Sequence, residues 1–499
     1  MRVMLVDPNV GYGPLPNLGL AYLIASIDNS HSVSFVDLTF EWKNYMVYFE
    51  KRLREDKPDI IGFSVSSFSF PLGLTLACLT RKLFPHLHIV FGGVHPTISP
   101  EEVIGHPCID SVCIGEGERS FLEFLDTLET GKEPFVDGFW FKDKKGKIVR
   151  NTLRPFELNL DDLPFPNWDY WDIEKYMGVN SVYTGVGGLM HITSRGCRYS
   201  CNFCSVHRIR ASVPGTYYRV RSAENIIEEI KRNIKKYWGI GFRGIDFFDG
   251  LFGADWEQFE QFCSLYKQEG LHKILPWACM TRADVVTEQW AQLASQTGCM
   301  KFNFGVETAD ENVRNVFYKK QLSNERIEWT IKLIEKYDIH YLFLMMIGCP
   351  ADSKETIKKN IDFIKRHSPI EVRMPFCQPY PGTDYSKAIG ISIDETDKDF
   401  NFLKGDDLCR TGTTSLSVKE LNRIIWFFRL WWIGQWVITD FKKVGFRFIL
   451  DLMKYIFNIG DIKKIPLRHP YTYKVVKART HLQYYFDEWK KRHGIKIER

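Results

Sequence analysis

Three cysteines in one short turn restrict this chain more than any other feature of it. Cys197, Cys201 and Cys204 lie in Ser-Arg-Gly-Cys-Arg-Tyr-Ser-Cys-Asn-Phe-Cys, residues 194–204. Thiolates spaced C-x3-C-x2-C in a loop converge on three corners of an iron–sulfur cube and leave the fourth iron without a protein ligand. A structural zinc site closes its coordination with a fourth ligand, and His207 stands where such a ligand would be. The flanks favour the open-cornered cluster. His191-Ile-Thr-Ser reads as a strand, Arg195-Gly196 allows a sharp turn into the cysteine loop, and Arg221 to Trp238 reads as the first helix after it.

With 499 residues the chain exceeds one ordinary core, so two or three domains are expected. Hydrophobic residues at 44% and charged residues at 25% describe a folded globular chain. A net charge of only +5 gives no reason to expect a nucleic-acid partner. The opening Met1-Arg-Val-Met-Leu-Val-Asp7 reads as a strand rather than a signal peptide, which makes a cytoplasmic location the expectation. Nine further cysteines are scattered, mostly in apolar runs, and read as small core hydrophobes rather than a disulfide framework.

Residues 1–135 alternate apolar strands (Val3–Val6, Val33–Val36, Ile60–Val65, Ile89–Gly92, Ser111–Ile114) with helical stretches (Leu18–Ser26, Asn44–Glu55, Leu72–Phe84, Ser120–Glu129). This predicts an α/β, flavodoxin-like (Rossmann-like) domain with a parallel sheet between helices. Ligands of such sheets bind beyond the carboxyl ends of the strands. The segments there are rich in glycine and small polar residues: Gly62-Phe-Ser64-Val-Ser66-Ser67, Gly92-Gly93-Val-His95 and Gly115-Glu116-Gly117-Glu118. Paired glycines admit a large flat ligand to the backbone, while Ser64, Ser66 and His95 offer hydrogen bonds.

A second alternation spans residues 183–390, with strands at Leu189–Thr193, Gly244–Phe248, Leu275–Met280, Lys301–Gly305, Tyr341–Ile347 and Glu371–Pro375. Six βα units make a partial (βα)6 barrel, whose chemistry sits in the loops after the strands. Between the two halves, residues 136–182 carry charged turns and a proline- and aromatic-rich strap, Leu163-Pro-Phe-Pro-Asn-Trp168, read as a connector.

The cysteine spacing, Phe203 before the third cysteine and the strand–loop–helix setting resemble the radical S-adenosylmethionine (SAM) superfamily. With the motifs at Gly92, Gly93, His95 and Gly115 to Glu118 ahead of them, residues 1 to about 390 resemble the cobalamin-binding radical SAM enzymes. The resemblance implies a [4Fe-4S] cluster on the three cysteines, SAM, and cobalamin with no histidine on cobalt, since Asp-x-His-x-x-Gly is absent. It places His95 at the corrin edge or as an organiser of its loop. It places Asp249 at the methionine amino group, Arg282 at the methionine carboxylate, Glu307 at SAM or substrate, and Met346 and Gly348 at the adenine. Cys377, in the Gln378-Pro-Tyr-Pro-Gly-Thr383 neighbourhood that closes the barrel mouth, reads as buried and structural. The rival transfer-RNA methylthiotransferases carry three more cluster cysteines in their first domain. Cys78, Cys108 and Cys113 make no convincing set, and no basic RNA-binding tail follows.

The activity implied is methylation of an unactivated carbon of a small molecule. A 5′-deoxyadenosyl radical would abstract hydrogen, methylcobalamin would donate the methyl group, and a flavodoxin- or ferredoxin-like donor would supply electrons. Ring closure or oxidation without methyl transfer is the alternative, and a non-catalytic corrinoid or zinc protein the alternative outside enzymes. Residues 391–499 read as a helical region with a dense aromatic band between Glu420 and Phe457. Its longest uncharged run, Leu430 to Thr439, is too short to span a bilayer. That band fits packing on the barrel, a peripheral membrane contact or an apolar substrate tunnel.

Overall fold

The computed structural model describes residues 1–10, 14–178, 184, 186–390 and 420. The aromatic region expected after residue 390 therefore lies outside the described residues, apart from Glu420.

The first half is the expected alternation. β1 (Arg2–Asp7), α1 (Leu18–Ile27), β2 (Ser32–Asp37), α2 (Tyr45–Asp56), β3 (Ile60–Ser64) and α3 (Phe70–Leu83) come first. β4 (His88–Gly92), two short helices, α4 (Val94–Ile98) and α5 (Pro100–Gly105), β5 (Ser111–Cys113) and α6 (Gly117–Glu129) follow. Strands β2-β1-β3-β4-β5 pair in parallel in that order. Their sequences are near-continuous apolar runs because both faces of a parallel sheet are covered by helices. The charged turn at Lys142-Asp-Lys-Lys-Gly-Lys147 is not loose connector. It joins β6 (Phe139–Lys142) to β7 (Ile148–Arg150), an antiparallel hairpin added beside β5, so the first sheet runs to Arg150 rather than ending near residue 135. Alternating burial in Phe-Trp-Phe-Lys marks β6 as a strand, a signal masked by the lysines around it.

After α7 (Ile173–Gly178) comes β8 (Gly188–His191) and a two-residue strand, β9 (Ser194–Arg195). The cysteine loop leads into α8 (Val206–Ser212), a helix missing from the sequence reading, then β10 (Arg219–Val220) and α9 (Ala223–Tyr237). Four βα units complete the half: β11 (Gly244–Phe247), α10 (Trp256–Gln268), β12 (Trp277–Thr281), α11 (Glu288–Gln296), β13 (Cys299–Glu307), α12 (Asn324–Lys336), β14 (His340–Met345) and α13 (Lys354–His367). β15 (Glu371–Arg373) and α14 (Asp384–Ala388) end it. The six strands pair in parallel as β15-β14-β13-β12-β11-β8, an open barrel with β8 at one edge.

The strap binds the halves together. Trp168, Trp171, Ile173, Tyr176 and Met177 are buried in one apolar core with Val3, Leu5 and Phe35 of the first sheet and Leu189, Phe242 and Ile245 of the second. The Trp171 ring lies 4.3 Å from that of Phe35, and the Tyr176 hydroxyl donates to Asp37 at 2.6 Å. Apolar burial of this kind contributes about 25 cal/mol per Å2, so the two sheets are held as one body.

Candidate active site

The three cysteines occupy the loop after β9, all free and half-buried. Gly196 makes the turn into it at φ 92°, and a Cβ there would stand 2.2 Å from the Tyr217 carbonyl oxygen. Only glycine fits. Among the described residues, no three of these thiols and the His207 ring come within 4.8 Å of one another, unlike His31, Asp126 and Glu129 elsewhere. Tetrahedral zinc with bonds of about 2.3 Å to sulfur would draw its ligands to within about 4 Å. A cube spreads its thiolates further apart, as three half-buried free thiols in one loop allow. Burial pushes the Cys201 thiol up, against the pull of Lys320 and Arg282, and pushes Cys204 to about 11. Cluster binding must therefore displace protons there.

Arg282 stands beside the loop. Its Nη1 is 3.6 Å from the Cys201 sulfur, and its guanidinium lies 3.6 Å from the Tyr199 ring centroid. Asp284 already holds it by two bonds of 2.9 and 3.0 Å, and Nη2 also donates to the Lys320 carbonyl. Glu307 ends β13 in the left-handed region, φ 62°, at a bulge against β14. Its carboxylate accepts from Lys320 Nζ at 2.6 Å. Both charged ends lie over Gly305, where a Cβ would meet Glu307 Oε1 at 2.1 Å. Sequence reasoning found Glu307 but not Lys320, whose place in Lys319-Lys320 carries no signal. Phe203 packs edge-on to Tyr318 at 5.2 Å, in a small apolar cluster with buried Cys349, Cys377 and Tyr385. Met346 borders that cluster, and the Gly348 amide donates to Asp352.

Asp249 does not offer a free carboxylate. It is 1% exposed and accepts from the Thr193 amide and hydroxyl and from Ser194 Oγ at 2.6–3.2 Å. Burial pushes its carboxyl up and these donors draw it down. It clamps the β8–β9 turn, which leads through β9 into the cysteine loop, by taking up the Thr193 amide and the Thr193 and Ser194 hydroxyls.

A cavity lies between the carboxyl edge of the first sheet and the cysteine loop. Gly62, Gly92, Gly93, Gly115 and Gly117 line it with Ser64, Thr97, Tyr22 and Glu116. From the other half come Ile192, Arg195, Gly196, Ile209, Tyr217 and Arg219. Backbone walls without Cβ atoms, and small hydroxyls at the rim, suit a broad flat macrocycle edged with amides. Ser66 and His95 are not among the lining residues. Ser66 turns into the N-terminal turn of α3, paired with Ser69. His95 is buried in α4, where its Nδ1 pairs with Ser67 Oγ at 3.1 Å and its ring packs on Phe70 at 4.2 Å. Burial, then His106, lowers it to about 3, so it is neutral. His95 organises its loop; the corrin-edge placement is not supported, because the short helix α4 rotates the ring toward α3. Glu116 also differs from expectation, because its carboxylate is taken up by arginines of the other half.

A glycine-lined cavity beside a loop of three free cysteines suits an enzyme that holds a flat macrocycle next to a metal cluster. Comparison with known proteins agrees: residues 9–125 match the B12 binding domain and residues 191–364 the radical SAM superfamily. The chain is 30% identical over 371 residues to the uncharacterized methyltransferase PH0819 of Pyrococcus horikoshii, covering 74% of this chain and 77% of that protein. It therefore belongs to the cobalamin-binding radical SAM enzymes, with a [4Fe-4S] cluster, SAM and cobalamin as cofactors. It is also 23% identical, over 98% of its length and 80% of the relative's, to the anaerobic magnesium-protoporphyrin IX monomethyl ester cyclase of Cereibacter sphaeroides. Among solved structures, the radical SAM methyltransferase TsrM from Kitasatospora setae, with cobalamin and a [4Fe-4S] cluster bound, superposes with a TM-score of 0.62. There the identity is 18%, with 78% of this chain and 77% of that one covered.

Proposed function

We propose that this chain is a cobalamin-dependent radical SAM methyltransferase acting on an unactivated carbon of a small molecule. The observation that carries it is a cavity lined on one side by the glycine-rich sheet edge and on the other by Arg195 and Gly196, the two residues that lead into the cysteine loop. When bound, the cluster and SAM supply a carbon radical and cobalamin supplies a transferable methyl group. The chain's part is to hold them in register and keep water out. Cys197, Cys201 and Cys204 would hold the cluster, with Arg282 and the Lys320–Glu307 pair at its rim. Gly62, Gly92, Gly93, Gly115 and Gly117 would receive the corrin, with Ser64 at its edge. Phe203 would stack near the cluster-bound nucleoside. The PH0819 relationship favours methyl transfer. The cyclase relative supports a second reading, ring closure without methyl transfer, on its alignment with nearly the whole chain.

An electron donor of the flavodoxin or ferredoxin kind is part of this proposal, as is a cytoplasmic location. No helix among the described residues is long and apolar enough to cross a membrane. The aromatic band of residues 420–457 supports an apolar substrate or a peripheral membrane contact.

The test is anaerobic reconstitution with iron, sulfide and hydroxocobalamin, then incubation with deuteromethyl-SAM and reductant. Mass spectrometry follows 5′-deoxyadenosine and the deuteromethyl label on the corrinoid. Both should form. Without label on the corrinoid, the ring-closure reading takes its place.

A further inference from the structure

Strands β9 and β10 form an isolated two-stranded antiparallel pair in which Arg195 stands directly opposite Arg219. Like charges at such positions repel, so this ribbon needs an acid between them. The acid comes from the other half of the molecule. Glu116 accepts from Arg195 Nη1 at 3.1 Å and from Arg219 Nη1 and Nη2 at 2.9 and 3.0 Å. Arg195 Nη2 also donates to Glu118 at 2.6 Å, and its guanidinium lies 4.9 Å from the Tyr22 ring of α1. Arg219 and Glu118 are buried. Burial pushes the Glu116 carboxyl up, but the two guanidiniums hold it below the usual carboxylate range, so it is charged.

The placement gives this contact more than a gluing role. Glu116 sits between Gly115 and Gly117, and all three line the cavity. Arg195 sits two residues before Cys197, with only Gly196 between. That glycine is closely packed, since a Cβ on it would stand 2.2 Å from the Tyr217 carbonyl oxygen and its own carbonyl oxygen lies 3.1 Å from the position of a Cβ on Gly250. A shift of the Gly115–Gly117 backbone is therefore passed through the Glu116 carboxylate, with Glu118 beside it, to Arg195, two residues before the first cysteine.

We infer that Glu116, held between Arg195 and Arg219, is a positioning residue that couples occupancy of the glycine-lined cavity to the conformation of the cluster loop. This rests on cobalamin occupying that cavity. Coupling between two sites is reciprocal: whatever the cluster does to cobalamin affinity, cobalamin does to the cluster. Arg219, in contact with the Glu157 carbonyl as well, fixes the far side of the ribbon.

The experiment measures hydroxocobalamin affinity by equilibrium dialysis, anaerobically, on the full chain with its cluster and after chelation of the iron. The wild type should bind about fivefold or more tightly with the cluster present. In Glu116→Gln, where Arg195 keeps only its bond to Glu118, the ratio of the two affinities should fall toward one, with iron content unchanged. Amide hydrogen exchange in residues 194–204 of the cluster-free wild type should slow on adding hydroxocobalamin, and should not in E116Q. Equal affinities in the wild type, or a cluster dependence that survives E116Q, would overturn the coupling alone. If E116Q does not fold, Arg219→Lys, which removes the two-bond grip on Glu116, takes its place in both measurements, and a cluster dependence that it leaves unchanged overturns the inference. If neither form binds hydroxocobalamin, the cobalamin assignment falls, and this inference with it.

Discussion

The two carboxyl edges that face each other are built from opposite materials. The first sheet presents backbone at Gly62, Gly92, Gly93, Gly115 and Gly117, among apolar side chains such as Leu5, Phe63 and Phe121. The barrel presents charge, and nearly all of it is already spoken for. Arg282 is held by Asp284, Lys320 by Glu307, and Asp249 by Thr193 and Ser194. A large flat ligand needs shape and closeness, which glycine supplies by having no Cβ. A small charged ligand beside a cluster needs fixed dipoles, which stay fixed only when each charged group has a second partner.

This contrast can be broken most sharply at the cysteines. Cys197→Ala, Cys201→Ala and Cys204→Ala together should drop iron to background and 5′-deoxyadenosine formation by on the order of a thousandfold or more. The glycine edge should still bind hydroxocobalamin; loss of both would mean that the halves do not fold independently of the cluster. Next in size are the glycines that look alike in sequence. Gly196→Ala and Gly93→Ala each force a Cβ to within 2.7 Å or less of a backbone oxygen at positive φ. Each should destabilise by about 3 kcal/mol or more. In thermal unfolding both should melt early, but only Gly196→Ala should lose iron while the chain is folded.

Lys320→Met leaves the buried Glu307 carboxylate without its cation, a change worth about 3 kcal/mol. It should weaken SAM binding in equilibrium dialysis and leave hydroxocobalamin binding intact. An equal effect on both ligands would show that charge is not confined to the barrel edge. A smaller, pH-dependent effect belongs to the first sheet. Burial, then Asp37, pushes the Asp7 carboxyl from 3.8 to about 8. The folded state therefore favours the protonated form. That contribution is full below about pH 4 and is lost as pH rises toward 8. Asp7→Asn should raise the melting temperature at pH 8 and match the wild type near pH 4. Last, Ser67→Ala removes the partner of His95 and should cost about 1 kcal/mol with cobalamin affinity unchanged. A large loss of affinity would return His95 to the corrin.

Much of this was legible because it is local. Most of the eleven strands of the two parallel sheets announced themselves by their apolar residues, since burial on both faces favours them, while the edge strands β2 and β15 carry serines and charges. The β6–β7 hairpin was hidden because its turn is lysine-rich and its strands are short. His95, Ser66 and Asp249 looked like ligands because they sit in the right loops, but a loop does not tell which way a side chain turns. A five-residue helix rotated His95, and the Thr193 and Ser194 donors captured Asp249.

By itself, the sequence determined the cysteine spacing, the glycine-rich strand ends and the order of the two halves, because each depends on neighbours within about ten residues. Only the tertiary structure decided that Glu116 answers arginines about 80 and 100 positions away, or that Lys320 lies over Gly305. Charges are partnered in space, and the pairing exists only after two sheets have packed edge to edge.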